Sequence, residues 1–324
     1  MPLSRSTARP RNVVNCSVWT GNQRGIPMPR IDAHLHVFTK ASAEFPREIS
    51  DVWPAEREEP VEKLLDEMEK HRIDQAVLVQ MAGASTANHR YLLHCLKAYP
   101  NRFLGIGLVP DGHPNPADHM AELTDNTGII GFRFSTFGGP RDIFAKMDVR
   151  EFAAYPIWKC AAERDYVLWL YPNAINAHLL PYLIQEFPQV RVVLNHLAVC
   201  PGKGKFSWDE YGRPQIQVTG YNLTMHTTYR LARYENVNVH LSGQYAFSTE
   251  EFPYKDLAGW HRGLLTGFGA KRLMWATDFP WILEEPGYGK LTTVIEELLP
   301  DLSEAELADI MGGNAKRILR FPDL

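Results

Sequence analysis

The chain has 324 residues, 45% of them hydrophobic and 22% charged, with a net charge of -4. This length and balance suit one large folded domain or two small ones, and the small negative charge leaves no electrostatic footprint for nucleic acid. No apolar run approaches the ~20 residues of a bilayer span. The four cysteines, Cys16, Cys95, Cys160 and Cys200, are far apart without a C-x-x-C pair, which predicts reduced thiols and a cytoplasmic protein.

Residues 1–29 carry Arg5, Arg9, Arg11 and Arg24 and no acidic side chain, and read as a poorly ordered extension. That composition also permits a transit peptide, or a start at Met28 just ahead of the first ordered strand. The strand Ile31–Phe38 follows, and then a long polar loop, Thr39 to Pro60. Apolar residues at helical spacing after Pro60 predict a helix. A buried strand spans Gln75–Met81, and Ser85 or Thr86 caps a helix reaching Tyr99. Further strands read at Phe103–Val109, Gly128–Phe137, Tyr166–Tyr171, Val190–Val199, Val237–Phe247 and Arg272–Trp281, with helical patterns between them. The segment Cys200–Gly220 reads as a long loop. Near the end, Ser303-x-x-Glu306 forms a capping box and Gly312-Gly313 stops that helix.

Eight strands alternating with helices predict a (β/α)8 TIM barrel of the α/β class, spanning residues 30–324 as a single domain. An open doubly wound sheet is the competing architecture. It calls for a glycine-rich phosphate loop, and neither G-x-G-x-x-G nor G-x-x-x-x-G-K-[ST] occurs.

A barrel of this kind carries its active site at the C-terminal ends of the strands. Those ends offer His34 and His36, Arg133, Tyr171, His196 and Asp278. In a strand, residues i and i+2 share a face, so His34 and His36 stand about 7 Å apart along one side. Two imidazoles so placed can hold a divalent cation or aim ring N–H groups at one oxygen. Singly, each residue has a plainer account: an Asp that caps a helix, an Arg in a surface pair, a packed histidine such as His240. His178 and His226, just after strand ends, are lesser candidates for the mouth. Trp53, Trp208, Trp275 and Trp281 read as core or as apolar walls of the site.

The segments Ile31-Asp-Ala-His34-Leu-His36, Gly131-Phe-Arg133-Phe, Asn195-His196-Leu, Leu241-Ser-Gly243, Thr277-Asp278-Phe-Pro280 and Gly313-Asn-Ala-Lys-Arg-Ile resemble the amidohydrolase superfamily. More narrowly, they are similar to its branch of 2-pyrone-4,6-dicarboxylate and sugar lactonases, from about Pro29 to Phe321. The resemblance implies an enzyme that opens a lactone or related cyclic ester or amide of a small, anionic organic acid. Asp278 would activate water, His34, His36 and His196 would polarise the carbonyl, and Arg133 would meet the developing oxyanion. Tyr171 and Lys203 would contact substrate. The implied cofactor is one divalent metal, zinc foremost, on His34, His36, His196 and Asp278, or none, since Arg133 and Tyr171 stand where two-metal relatives place ligands. A non-oxidative decarboxylase or hydratase, and a catalytically silent ligand-binding barrel, are the alternatives. No membrane or nucleic-acid partner is implied, and self-association is left open.

Overall fold

The computed structural model of the chain describes residues 28–324 except 52, 143, 173–175, 200–205 and 218–227. Residues 1–27 of the basic extension, Lys203, His226 and Cys200 therefore lie outside the described residues, Cys16 among the first of these. Eight parallel strands form the expected barrel in the order β1 (Ile31–Leu35), β2 (Gln75–Val79), β3 (Phe103–Leu108), β4 (Ile129–Phe134), β5 (Val167–Leu170), β6 (Val192–Leu194), β9 (Val237–Leu241) and β10 (Leu273–Trp275). Each is shorter than its apolar run. Among the described residues, helices α1 (Val61–His71), α2 (Arg90–Ala98), α3 (Pro116–Thr124), α4 (Tyr155–Arg164) and α5 (Leu180–Glu186) alternate with the first six strands.

Two apolar layers hold this architecture together. One fills the barrel with inward residues such as Val77, Ile106, Trp169 and Met274, and is plugged below by Ile318, Leu319 and Phe321 near the C-terminus. The other lies between strands and helices, where Leu64, Met68, Leu92, Trp158 and Leu264 are buried. Cys95 and Cys160 are free and buried. No helix among the described residues is long and apolar enough to cross a membrane. The capping box is present: Ser303 Oγ accepts from Glu306 N–H, and the Glu306 carboxylate accepts from Ser303 N–H at 3.0 Å.

Three local readings need correction. The segment taken as strand up to Phe247 stops at Leu241; Gly243 takes a positive φ of 75°, and Gln244–Phe247 turns into a short helix. The loop beginning at Cys200 contains an antiparallel hairpin, β7 (Phe206–Trp208) with β8 (Pro214–Ile216). The helix expected from Ser85 begins as a tight turn, Ala87–His89, followed by α2; Thr86 sits at its N-cap without a side-chain cap bond, and Ser85 Oγ accepts from Asn88 N–H at 3.2 Å.

The seam between β1 and β10 is closed by a few specific bonds. Asp278 N–H donates to His34 O at 3.0 Å and His36 N–H to Phe279 O at 2.8 Å. Beneath them the fully buried Asp32 accepts from Thr277 N–H at 2.9 Å, from the Thr277 hydroxyl at 2.5 Å and from the Tyr288 hydroxyl at 2.9 Å. Burial pushes the Asp32 carboxyl up to about 6 even though these donors pull it down. The Asp32→Ala substitution strands three buried donors. We expect it to cost roughly 3–5 kcal/mol, the usual loss when one partner of a buried charged network is removed. An unchanged urea midpoint would show that the seam does not depend on this carboxylate.

Candidate active site

The seam sets two of the candidate residues. Two positions after Asp32 comes His34, and one position after Thr277 comes Asp278. Asp278 and His196 both sit on left-handed backbone, with φ of 62° and 45°. Non-glycine residues adopt that region at a cost that the surrounding packing must offset. The sharp turn at each strand end throws its side chain inward. His34 lies in β1 and His36 just past its end, beyond a register shift between Asp32 and Leu35, and their ring centroids are 5.0 Å apart.

Asp278 is the hub. Its Oδ1 lies 3.3 Å from His36 Nε2 and 3.6 Å from His34 Nε2; its Oδ2 lies 3.8 Å from His196 Nδ1 and accepts from the Tyr245 hydroxyl at 2.7 Å. Above it opens a cavity of about 240 Å³ lined by His36, Arg133, Tyr171, His196, Tyr245 and Asp278, with aromatic and aliphatic side chains above them. Tyr171 packs edge-on against His196, with centroids 5.1 Å apart. Trp53, Trp208 and Trp281 line the cavity, whereas Trp275 is core.

The sequence-predicted residues thus converge, with refinements. His34 does not line the cavity; it stands behind Asp278 and His36, fully buried. His240 is packed below, its ring 5.3 Å from that of His34 and 4.7 Å from Trp169. His178 is spent on the carbonyl of Pro140 at 3.0 Å. A larger cleft of about 540 Å³ lies beside Ser85, His113 and Glu122. There His119 bonds the carbonyl of Leu108 and His113 accepts from Asn115 N–H, so neither ring is poised for chemistry.

Residues 31–321 match the amidohydrolase family profile. The chain belongs to the amidohydrolase family. It is 26% identical over 310 residues to an L-fucono-1,5-lactonase of Burkholderia multivorans, covering 91% of this chain and 97% of that protein. Its fold is similar to that of a Pseudomonas putida protein named as a 2-pyrone-4,6-dicarboxylic acid hydrolase, with a TM-score of 0.67, 21% identity and coverage of 92% of this chain and 100% of that one. It is similar also to that of a zinc-bound Burkholderia multivorans amidohydrolase, with a TM-score of 0.64, 23% identity and coverage of 91% and 100%.

In this amidohydrolase, His34, His36 and Asp278 bring three donor atoms within 4.8 Å of one another, close enough to share one cation. His196 falls outside that group and turns Nδ1 towards the buried Ser242 hydroxyl at 3.1 Å. His34 Nε2 and Asp278 Oδ1 are buried without a hydrogen-bond partner, and a cation would satisfy both. The two histidines are prepared differently. His36 donates from Nδ1 to the carbonyl of Val79 at 2.8 Å, so its neutral ring presents a lone pair at Nε2, the state a metal ligand needs. His34 Nδ1 accepts from the Trp169 indole N–H at 2.8 Å, and an indole can only donate. Its neutral ring therefore carries the proton on Nε2, facing Asp278.

The charges follow from burial and neighbours. Burial drives the Asp278 carboxyl upward, but His196, His36 and the Tyr245 hydroxyl outweigh it and hold the group at about 2. Burial lowers His196 to about 4 against the pull of Asp278, and takes His34 and His240 well below the ordinary histidine range. Burial, then Asp278, pushes Tyr245 well above the usual phenol range, so it stays a donor. At neutral pH the floor holds an ionised carboxylate, neutral His34 and His196, and the Arg133 guanidinium, whose proton burial loosens and Asp278 helps retain.

Tyr245, Trp169 and Ser242 have no assigned role in the sequence reading. The positive-φ Gly243 is the one local signal that a strand ends there and that Tyr245 turns towards the site. A methyl group on Gly243 would come within 3.0 Å of His196 Nδ1. We expect Gly243→Ala to lose about 1 kcal/mol or more through backbone strain and to displace the His196 ring. A crystal structure of the variant with the ring in place would contradict this.

Proposed function

We propose that this amidohydrolase opens a lactone, or a related cyclic ester or amide, of a small organic acid. The observation that carries the reading is Asp278: an ionised, buried carboxylate fixed by Tyr245 at the floor of a cavity, with Arg133 and His196 in the same lining. The substrate carbonyl sits among these groups. Water attacks the carbonyl carbon and gives its proton to Asp278. The carbonyl oxygen becomes an oxyanion facing the Arg133 guanidinium and the His196 ring, whose Nδ1 lies 3.1 Å from the Ser242 hydroxyl. The ring C–O bond then breaks, and the proton on Asp278 passes to the leaving oxygen, giving the hydroxy acid. Tyr171 orients the substrate beside His196. His34 stands behind Asp278, its Nε2 3.6 Å from Oδ1, and does not reach the carbonyl.

An intact, ionised Asp278 argues against a silent binding barrel, which has no use for an activated carboxylate. Asp278→Asn keeps the size and loses the base, and we expect hydrolysis to fall by about three orders of magnitude or more, with the fold retained. Full turnover in this variant would remove Asp278 from the mechanism and the lactonase reading with it.

Zinc is the ion that two imidazole nitrogens and a carboxylate oxygen suit, and His36 Nε2, Asp278 Oδ1 and His34 Nε2 would hold it. Bound there, it supplies Lewis-acid polarisation. His34 can join only by giving up the Nε2 proton that Trp169 imposes on it. In a neutral ring that proton moves to Nδ1 with no net release, and the move costs the Trp169 hydrogen bond. Trp169→Phe, which lets the proton move to Nδ1, should tighten zinc about tenfold at neutral pH. Calorimetric titration of zinc into both proteins reads the difference. Equal affinity in the two proteins would refute the tautomer assignment.

A further inference from the structure

Above its polar floor the cavity changes character. Trp53, Trp208 and Trp281 form a continuous aromatic wall, with centroids 5.0 Å apart between Trp53 and Trp281 and 5.8 Å between Trp208 and Trp281. Ile216 and Phe247 continue the lining, and Phe206 at the mouth is 54% exposed. The Arg57 guanidinium lies over Trp53 and Trp281 at 5.1 and 5.3 Å and braces both rings by cation–π attraction.

The wall is built, and it is joined to the reacting group. Trp208 and Phe206 belong to the β7–β8 hairpin. Arg213 of that hairpin pairs with Asp209 at 2.7 Å, donates to the carbonyl of Glu285 and lies over the Tyr245 ring at 5.9 Å. Gln215 donates to the carbonyl of Tyr245 at 3.1 Å. Tyr245 in turn holds Asp278, so hairpin and carboxylate share one frame.

We infer that the substrate is a lactone with a planar, aromatic, hydroxyl-poor body and at most one carboxylate. This rests on the lactonase reading for the reaction and on the cavity walls for the body. Three observations carry it. The hydrogen-bonding side chains of the lining sit around Asp278 at the floor, where the reacting carbonyl lies. A sugar-like body would leave hydroxyls against tryptophan faces, and each desolvated hydroxyl without a partner weakens binding about tenfold or more. Among the described lining residues Arg133 is the single Lys or Arg, so two carboxylates would have to share it. A cavity of about 240 Å³ exceeds the ~150 Å³ that accommodates benzene, which leaves space for a ring pair or one substituted ring.

The test compares dihydrocoumarin, an aryl-fused lactone, with the polyhydroxylated δ-gluconolactone. Turnover is followed by acid release, and binding by quenching of the indole fluorescence of the Asp278→Asn protein. We expect kcat/KM at least ten times higher for dihydrocoumarin. We also expect Trp208→Ala to raise its KM about tenfold with kcat nearly kept; Phe206→Ala, at a more exposed position, serves if that variant misfolds. Equal or better turnover of δ-gluconolactone overturns the inference and leaves the lactonase reading intact. Quenching by dihydrocoumarin alone, with neither lactone hydrolysed by the wild type, supports the inferred body and overturns the lactonase reading. Neither quenching nor turnover overturns both.

Discussion

Asp32 and the residues it holds are what the site depends on. A carboxylate buried at the β1–β10 seam accepts from the backbone and hydroxyl of Thr277 and from Tyr288. In a parallel barrel the last strand must meet the first without a hairpin to set the register. Here a short run of backbone bonds and one buried acid do it. Because His34 and Asp278 lie within two positions of these anchors, the bonds that close the barrel also bring a histidine and a carboxylate from opposite ends of the chain together. A carboxylate so buried is stable only while its donors stay in place, so the seam resists slippage.

Around that seam the amidohydrolase tunes its ionisable groups by burial first and by neighbours second. Three imidazoles are kept neutral by desolvation, while Asp278, equally buried, stays ionised because His196, His36 and Tyr245 surround it. Two titratable types driven apart in this way are the arrangement that acid–base chemistry uses. The two histidines of the H-x-H pair look alike in sequence but differ in state. One bonds a carbonyl and offers a lone pair; the other bonds an indole N–H and offers a proton. The aromatic wall then sets what reaches the floor, and Arg213 and Gln215 couple the hairpin bearing that wall to Tyr245.

Much of this was legible beforehand. Short apolar runs alternating with helical patterns predict the barrel, because strand and helix periods differ and each element must bury one face. Reading the ends of those runs singles out Asp278, Arg133, Tyr171 and His196, and the structure gathers these four around one cavity. The overlong strand through Phe247 shows where pattern fails: Tyr245, Ala246 and Phe247 are buried residues that suit a strand or a helix, and only the backbone at Gly243 decides. The β7–β8 hairpin was missed for a related reason, since three-residue strands in a polar segment leave too little periodicity to detect.

The sequence by itself determined the barrel, the H-x-H face of its first strand and the acid at its last, because these follow from local period and from position along the chain. Tertiary structure alone decided the tautomer of His34, the donor on Asp278 and the apolar ceiling of the cavity. Trp169 and His34 are 135 positions apart, and Tyr245 and Asp278 are 33. Hydrogen bonds act over about 3 Å, so no local pattern records which distant donor meets which acceptor. That is settled only when barrel closure brings them within reach.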